Sequence, residues 1–253
     1  MIKQSIIISY KQNDSDRKLN LQRILGYLSI LLNDETEIVL VEQDNFSKID
    51  FLNSIPNNKH INHIFLENKG IFNKGWGYNA GVKNSKGNYL IFNDIDVFLK
   101  LSQYSSSLKL LEKYDVINPY NKIYFLDKNN SEKFINENHN FNNIDLASQY
   151  YLPGVISGGI FMMTKEKFLM LKGLDEECYG YGHEDDIFDT KIRKLQLSIM
   201  VINEIAVHLF HNVFKDDIYY SRKSINEKLL TQYIIMRPDE ILSKINNFNS
   251  FGI

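Results

Sequence analysis

Two acids separated by one residue stand inside an apolar run. The stretch YLIFNDIDVFL (89–99) carries Asp94 and Asp96 between residues that favour burial, although an unpaired buried carboxylate is costly. On an extended strand, residues i and i+2 point to the same face, so both acids would approach one site. Mg²⁺ or Mn²⁺ binds through a few carboxylates plus phosphate oxygens, which leaves room for a nucleotide. A turn with two solvated acids is the alternative, and the apolar flanks favour the cation site.

A second group of acids follows two glycines and two tyrosines in YGYGHEDD (179–186). Glu184, Asp185 and Asp186 precede an amphipathic helix, where negative charge is explained by capping and by the helix dipole alone. Three carboxylates exceed what capping requires, and one of them is a candidate general base for an acceptor hydroxyl. Tyr179 and Tyr181 would line an approach suited to sugar rings.

Two histidines, His208 and His211, lie three residues apart in VHLFHN (207–212). Neutral imidazole is a ligand for metals such as Mn²⁺, but histidines are often structural. The pattern leaves both interpretations open. Core packing and a site role are likewise both open for Trp76, the sole tryptophan, whereas Cys178 has no partner cysteine and no catalytic context.

The first half of the chain predicts alternating strands and helices. Apolar runs at 5–9, 37–43 and 63–67 predict strands, with helices at 21–32 and 72–85 and a further strand at 89–99. Such units build a doubly wound parallel sheet, which binds ligands at the carboxyl ends of its strands, where Asp94 and Asp96 fall. The second half predicts strands at 157–164 and within 198–211, helices at 165–173 and around 227–236, and at 180–195 a loop that leads into a further helix. The Asn-rich segment 126–146 predicts a mobile surface insertion.

Composition narrows the functional classes. The 253 residues are 43% hydrophobic and 24% charged with a formal charge of -2, which fits one large α/β domain and disfavours nucleic acid as a partner. One cysteine excludes an intramolecular disulfide, and no window approaches the run of about 18 apolar residues that spans a bilayer. We expect a cytoplasmic protein, with the inner face of the membrane as an option and at most peripheral membrane association.

Four segments together resemble the inverting GT-A glycosyltransferases, and more narrowly the family of the β-1,4-galactosyltransferases and the chondroitin-polymerase-like bacterial transferases. They are FNKGWGYNAG (72–81), FNDIDVF (92–98), SGGIFMMTKEKF (157–168) and GYGHEDDIFDTKIRK (180–194). The resemblance implies a GT-A fold, in which a Rossmann-like nucleotide-binding half with a mostly parallel sheet is continuous with an acceptor-binding half. It predicts one domain over 1–253, with the nucleotide-binding half at 1–100, the acceptor and catalytic half at 101–225 and a helical tail at 226–253.

The resemblance also implies roles for individual residues. Asp96 and a histidine would bind Mn²⁺ (or Mg²⁺), with His208 the better match and His211 still open. Asp185 would be the catalytic base. Substrate-binding positions would be Asp94, Lys74, Asn79, Trp76, Ile156, Gly158, Gly159, Tyr179, Tyr181 and Glu184. Departures from the family pattern, His183 for a glycine and tyrosines for both tryptophans, predict a remodelled acceptor pocket.

The implied reaction moves Gal or GalNAc from a UDP-sugar donor to a glycan or lipid-linked glycan acceptor in bacterial surface polysaccharide synthesis. Ile156, where galactose-specific members carry tyrosine, predicts a pocket that also admits UDP-GalNAc. The segment 210–223 is a candidate lid, with an ordinary solvated loop as the alternative. A nucleotidyltransferase would need a glycine-rich loop after the first strand, which residues 9–18 lack. The remaining alternative is a non-catalytic sugar- or nucleotide-binding subunit with the same fold.

Overall fold

The structure, a computed structural model, describes residues 1–144, 149–151, 156, 159–212, 217–248 and 251–252. Its strands are β1 (Gln4–Tyr10), β2 (Thr36–Asp44), β3 (Ile61–Glu67), β4 (Tyr89–Asn93), β5 (Val97–Phe98), β6 (Val116–Asn118), β7 (Lys122–Phe125), β8 (Gln149–Tyr151), β9 (Ile160–Thr164), β10 (Ile199–Val201) and β11 (Ile205–His208). Its helices are α1 (Ser15–Leu28), α2 (Lys74–Asn84), α3 (Leu101–Lys109), α4 (Lys128–Asn136), α5 (Lys165–Met170), α6 (Glu184–Lys194), α7 (Asp217–Ile235) and α8 (Pro238–Asn246).

The described strands form a large, mostly parallel sheet and a smaller one. The large sheet has the order β10-β6-β9-β4-β1-β2-β3, in which only β9 runs antiparallel to its neighbours. The small sheet has the order β5-β11-β7-β8. This confirms the predicted β-α-β opening. It also places the ends of β1, β4 and β11 near one another, because β5 continues from β4 and pairs with β11.

Helices cover both faces of the large sheet, which explains the continuous apolar runs of its central strands. On β1, Ile6 and Ile8 pack into the core under α1, whereas Ile7 packs into a second core under α2. Helix α2 lies very close to β1, since a Cβ at Gly81 would stand 2.4 Å from the Ile7 side chain and one at Gly77 would clash with Ser9.

The predicted single strand at 89–99 is interrupted. β4 ends at Asn93, residues 94–96 form a turn, and β5 belongs to the small sheet. Asp94 and Asp96 therefore do not share one face of a strand as the spacing predicted. The apolar residues on either side of the turn pack into different sheets, a separation that the local pattern does not encode.

The Asn-rich segment is only partly a surface excursion. Residues 128–136 form α4, and Phe134 is buried, with its ring centroid 5.9 Å from that of Phe98. His139 then lies 4.4 Å from the ring of Tyr27. The prediction of a mobile insertion is wrong for this part of the segment, because aromatic contacts attach it to the core under α1.

The C-terminal helices pack against α6. The predicted helix at 227–236 is confirmed as the second half of the longer α7, and Tyr233, Ile241 and Ile245 form a small core with Ile187 of α6. The hydroxyl of Tyr233 donates to Asp175 at 2.7 Å. Within the described part of the chain, no helix combines the length and apolarity that crossing a bilayer requires.

Candidate active site

A buried asparagine shapes the turn that carries the two acids. The amide of Asn93 donates to the carbonyls of Asp94 at 2.7 Å and Val97 at 3.1 Å, and its Oδ1 accepts from the hydroxyl of Tyr104 at 2.7 Å. The backbone N–H of Asp94 donates to the carbonyl of Gly159 at 2.8 Å. Gly159 has a φ of 122°, and a Cβ there would stand 2.5 Å from the Tyr120 hydroxyl. Glycine is therefore required at this position, and it fixes the backbone of Asp94.

Asp96 lies between two histidines. Its Oδ1 is 3.6 Å from Nε2 of His208 and its Oδ2 is 3.4 Å from Nε2 of His211, and ligand atoms of the three residues all lie within 4.8 Å of one another. The strand end of β11 supplies His208, and the N–H of Leu209 donates to the Asp96 carbonyl at 2.8 Å. The fold thus brings the predicted metal residues together.

The hydrogen bonds of the histidines suit a metal. Nδ1 of His208 lies 2.7 Å from the Leu209 carbonyl and Nδ1 of His211 lies 3.0 Å from the Asn212 carbonyl. A carbonyl only accepts, so each Nδ1 carries a hydrogen, and Nε2 is the ring nitrogen that faces Asp96. Facing lone pairs on nitrogen and oxygen require a proton or a cation between them. One carboxylate and two imidazoles are a donor set that fits Mn²⁺.

Electrostatics around Asp96 favour its ionised form. Burial alone would raise the pKa of this carboxyl, but His208, Arg17 and His211 outweigh it and hold the pKa below its usual range. Arg17, on the first turn of α1, has a guanidinium nitrogen 3.8 Å from Oδ2 of Asp96. The sequence motifs do not identify Arg17 as a site residue. The one sequence feature that points to it is its position where the loop after β1 enters α1.

A second charged group lies beside the first, centred on Lys74 at the start of α2. Its Nζ is 3.0 Å from Oδ2 of Asp94, 3.5 Å from Oδ1 of Asp185 and 3.9 Å from Oε1 of Glu184. Asp94 also accepts from the hydroxyl of Tyr78 at 2.7 Å. One cation is therefore shared by three carboxylates that come from two distant segments of the chain.

This crowding shifts the pKa values of the group. Burial, followed by the charge of Asp185, raises the pKa of Glu184 to about 7. Burial also raises the pKa of Asp185, although Lys74 opposes the shift. For Lys74, burial alone would lower the pKa, but Asp185 and Asp94 hold it well above its usual range. Carboxyls with raised pKa values in a cleft are suited to proton transfer near neutral pH.

The two predicted tyrosines occupy different positions. Tyr181 is 46% exposed and lines the cleft that holds both charged groups. The ring of Tyr179 is covered by the guanidinium of Arg222, 3.5 Å from its centroid. Asp186, the third acid of the run, lies 2.8 Å from Nδ1 of His183, three residues earlier in the chain.

The cleft has a volume of about 400 Å³ and adjoins a second cavity of about 460 Å³. The two cavities share five residues, namely Arg17, Phe72, Gly180, Tyr181 and His211. Asp94, Asp96, Lys74, Glu184, Asp185 and His208 all line the first. Its size suits a small organic ligand.

Five predicted substrate residues do not line this cleft among the residues that the structure describes, namely Asn79, Trp76, Ile156, Gly159 and Tyr179. Asn79 is 1% exposed, and its amide donates to the Leu174 carbonyl at 2.9 Å and to Glu176 at 2.8 Å, which is a structural role. Ile156 is 1% exposed and packs in the core, so the structure does not support its predicted control of donor choice. Trp76 lies on α2 outside the cleft lining, and Gly158 lies outside the described residues.

Comparison with known proteins gives the family. A model of the family described as glycosyltransferase like family 2 matches residues 5–221. A crystal structure of GalNAc-T7 with UDP, GalNAc and Mn²⁺ has a TM-score of 0.63 and 14% identity over 95% of this chain and 50% of that chain. The present chain thus spans half the length of GalNAc-T7, and at this identity the likeness concerns the fold.

No curated protein matches the chain. The narrower resemblance to the β-1,4-galactosyltransferases and chondroitin-polymerase-like transferases stays a prediction. The mostly parallel sheet confirms the predicted α/β class. The chain has a GT-A fold and belongs to glycosyltransferase-like family 2.

Proposed function

We propose that this protein is a metal-dependent, inverting glycosyltransferase that moves Gal or GalNAc from a UDP-sugar to a hydroxyl of a glycan or lipid-linked glycan acceptor. One observation carries the proposal. A candidate metal cluster (Asp96, His208 and His211) and a carboxylate group with raised pKa values line a single cleft in a glycosyltransferase-family chain.

The metal cluster serves the donor side. Asp96, His208 and His211 would hold Mn²⁺ (or Mg²⁺), which neutralises the charge of the departing diphosphate when it is bound. Arg17 adds a fixed positive charge beside the cluster. Asp94 and Lys74 face the same space, and Asp94 is held by Tyr78, which suits it to orient the sugar or ribose hydroxyls of the donor.

Asp185 serves the acceptor side as the general base. Its Oδ1 is buried in the cleft, 3.5 Å from the Lys74 ammonium, and burial raises the pKa of this carboxyl, which suits it to accept a proton. The acceptor hydroxyl oxygen forms a bond to the anomeric carbon while the bond from that carbon to the diphosphate oxygen breaks. The electron pair leaves with UDP and the hydroxyl proton passes to Asp185, so the anomeric centre inverts. Glu184 would contact the acceptor.

The wider setting follows from the same proposal. Residues 1–253 act as one domain, with the donor bound by the half at 1–100 and the acceptor by the half at 101–225, and 226–253 form a helical tail. The glycan product would belong to a bacterial surface polysaccharide. Donor choice between Gal and GalNAc is left to experiment because Ile156 lies in the core.

The test is UDP release from UDP-Gal and UDP-GalNAc in the presence of Mn²⁺, with NMR assignment of the anomer of the product. We expect release with at least one donor and a product of inverted configuration. Asp185→Asn should reduce the rate by about a hundredfold or more, whereas Asp50→Asn is the matched control because that side chain is 78% exposed and lies outside the cleft lining. Retained configuration, or full activity of Asp185→Asn, would refute the assigned role.

A further inference from the structure

An asparagine of α7 binds the loop that leads to the acids. Asn226 is 1% exposed, and its Nδ2 lies 3.1 Å from the carbonyl of Tyr179, 3.2 Å from that of Tyr181 and 3.0 Å from that of Gly182. An amide NH₂ has two hydrogens, so three carbonyls share them. Asparagine is also a poor residue for a helix interior, which makes its presence there hard to explain by helix formation.

An arginine one turn earlier binds the same loop. Arg222 donates from Nε to the Tyr179 carbonyl and from Nη2 to the Glu177 carbonyl, both at 3.3 Å, and from Nη2 to Oδ1 of Asn226 at 3.3 Å. Its guanidinium stacks on the Tyr179 ring, and its stem is 3.2 Å from where a Cβ of Gly180 would be. Arg222 and Asn226 together form what we call the α7 clamp.

The clamped loop turns through three residues with positive φ values. Gly180, Gly182 and His183 have φ values of 82°, 86° and 71°. Positive φ is uncommon for residues other than glycine, and the carbonyl of Gly182, directly before His183, accepts from Asn226 at 3.0 Å. His183 directly precedes α6, and Glu184 and Asp185 are the first two residues of that helix. The position of these acids in the cleft therefore depends on a loop that α7 holds.

We propose that Arg222 and Asn226 are positioning residues that hold Glu184 and Asp185 for the acceptor-side step. This rests on the proposed function. They act through the loop backbone and not through the reacting atoms. The metal cluster is built from other segments, namely the turn after β4 and the end of β11. Loss of the clamp should consequently slow transfer and leave binding of UDP with Mn²⁺ intact.

The test compares three variants in donor hydrolysis, in which water takes the place of the unidentified acceptor and UDP release is measured. Asn226→Ala and Asn226→Asp should both lower kcat by about tenfold to a hundredfold, because small displacements of a catalytic group have effects of that size. The Asp variant keeps the side-chain shape but replaces the amide donors with an oxygen that repels the three loop carbonyls, so near wild-type kcat for Asn226→Asp would overturn the proposal. Arg222→Lys keeps the positive charge but loses the planar guanidinium that stacks on Tyr179 and donates to the loop carbonyls. Its kcat should lie between those of wild type and Asn226→Ala.

Binding and stability measurements complete the design. The Kd for UDP with Mn²⁺ should change by no more than about twofold in the variants, and Gln232→Ala, an exposed substitution on the same helix, should match wild type throughout. Equal losses in kcat and in UDP affinity would overturn the positioning role. If circular dichroism shows that Asn226→Ala is unfolded, the kcat of Arg222→Lys becomes the test, and a wild-type kcat for that variant would overturn the proposal. The proposed function fails separately, when wild-type protein itself neither binds UDP with Mn²⁺ nor releases UDP.

Discussion

Glu184→Gln should stabilise the protein, and the gain should depend on pH. The pKa of Glu184 rises from 4.5 to about 7, mainly through burial and the neighbouring Asp185. Each step of one in pKa corresponds to about 1.4 kcal/mol, so the ionised side chain costs about 3 kcal/mol of folding free energy above pH 7. Glutamine has nearly the same shape and no charge, and Lys74 keeps its contacts with Asp94 and Asp185.

The sign follows from proton binding. Between pH 4.5 and 7 the folded state holds a proton on Glu184 that the unfolded state has lost, so wild-type stability falls as the pH rises through this window. Below pH 4.5 both states are protonated and the penalty disappears. The variant should therefore exceed wild type by about 3 kcal/mol at pH 8 and by about 1 kcal/mol at pH 5.

Urea denaturation of both proteins at several pH values measures this difference. Glu227→Gln, an exposed carboxylate-to-amide change on α7, is the matched control and should show no comparable trend. A gain for Glu184→Gln that is constant with pH, or that grows as the pH falls, would refute the view that burial beside Asp185 disfavours the Glu184 charge. If the more stable Glu184→Gln variant also releases UDP more slowly, Glu184 is an acid that the protein keeps for function although it lowers stability.

Three further substitutions and one control substitution test the same structure. Lys74→Met should destabilise the fold by about 3 kcal/mol at pH 8 and by less at pH 5, since it leaves three carboxylates without their shared cation. Urea denaturation at both pH values measures the loss of stability. An equal loss at both pH values would contradict the explanation by unpaired carboxylate charge. Gly159→Ala should cost about 2 to 4 kcal/mol because of its φ and its contact with Tyr120, whereas Gly26→Ala, with open space around its Cβ, should be neutral or stabilising. His208→Ala should weaken Mn²⁺ binding by about tenfold or more in calorimetry, and unchanged affinity would remove it from the metal cluster.

Much of the fold follows from local sequence patterns. The strands β1 and β2 are buried on both faces, so each appears as a continuous apolar run that a reader of the sequence detects. The turn at Asp94 was not predicted because Asn93 and Tyr104, which hold it, are eleven residues apart. An apolar run does not reveal that its two halves belong to different sheets.

The candidate site was predicted by residue type better than by geometry. Asp96, His208 and His211 do converge, but the motif positions of Asn79 and Ile156 carried no information about burial, and both lie in the interior. Arg17 was not singled out, because its approach to Asp96 depends on how α1 sits on the sheet. A motif match assigns a role to a residue from its position in the sequence. Whether that residue is exposed, and which charged groups it contacts, depends on how the chain packs.

Calorimetric titration of UDP into the protein, with and without Mn²⁺, tests the central claim most directly. We expect binding that requires Mn²⁺ and that Asp96→Ala weakens by about tenfold or more. Asp50→Ala is the control, because that side chain is 78% exposed and pairs only with Lys18 among the described residues. UDP binding that is independent of Mn²⁺ and unchanged in Asp96→Ala, or no UDP binding in either condition, would contradict the assignment of this cleft as a metal-dependent nucleotide-sugar site.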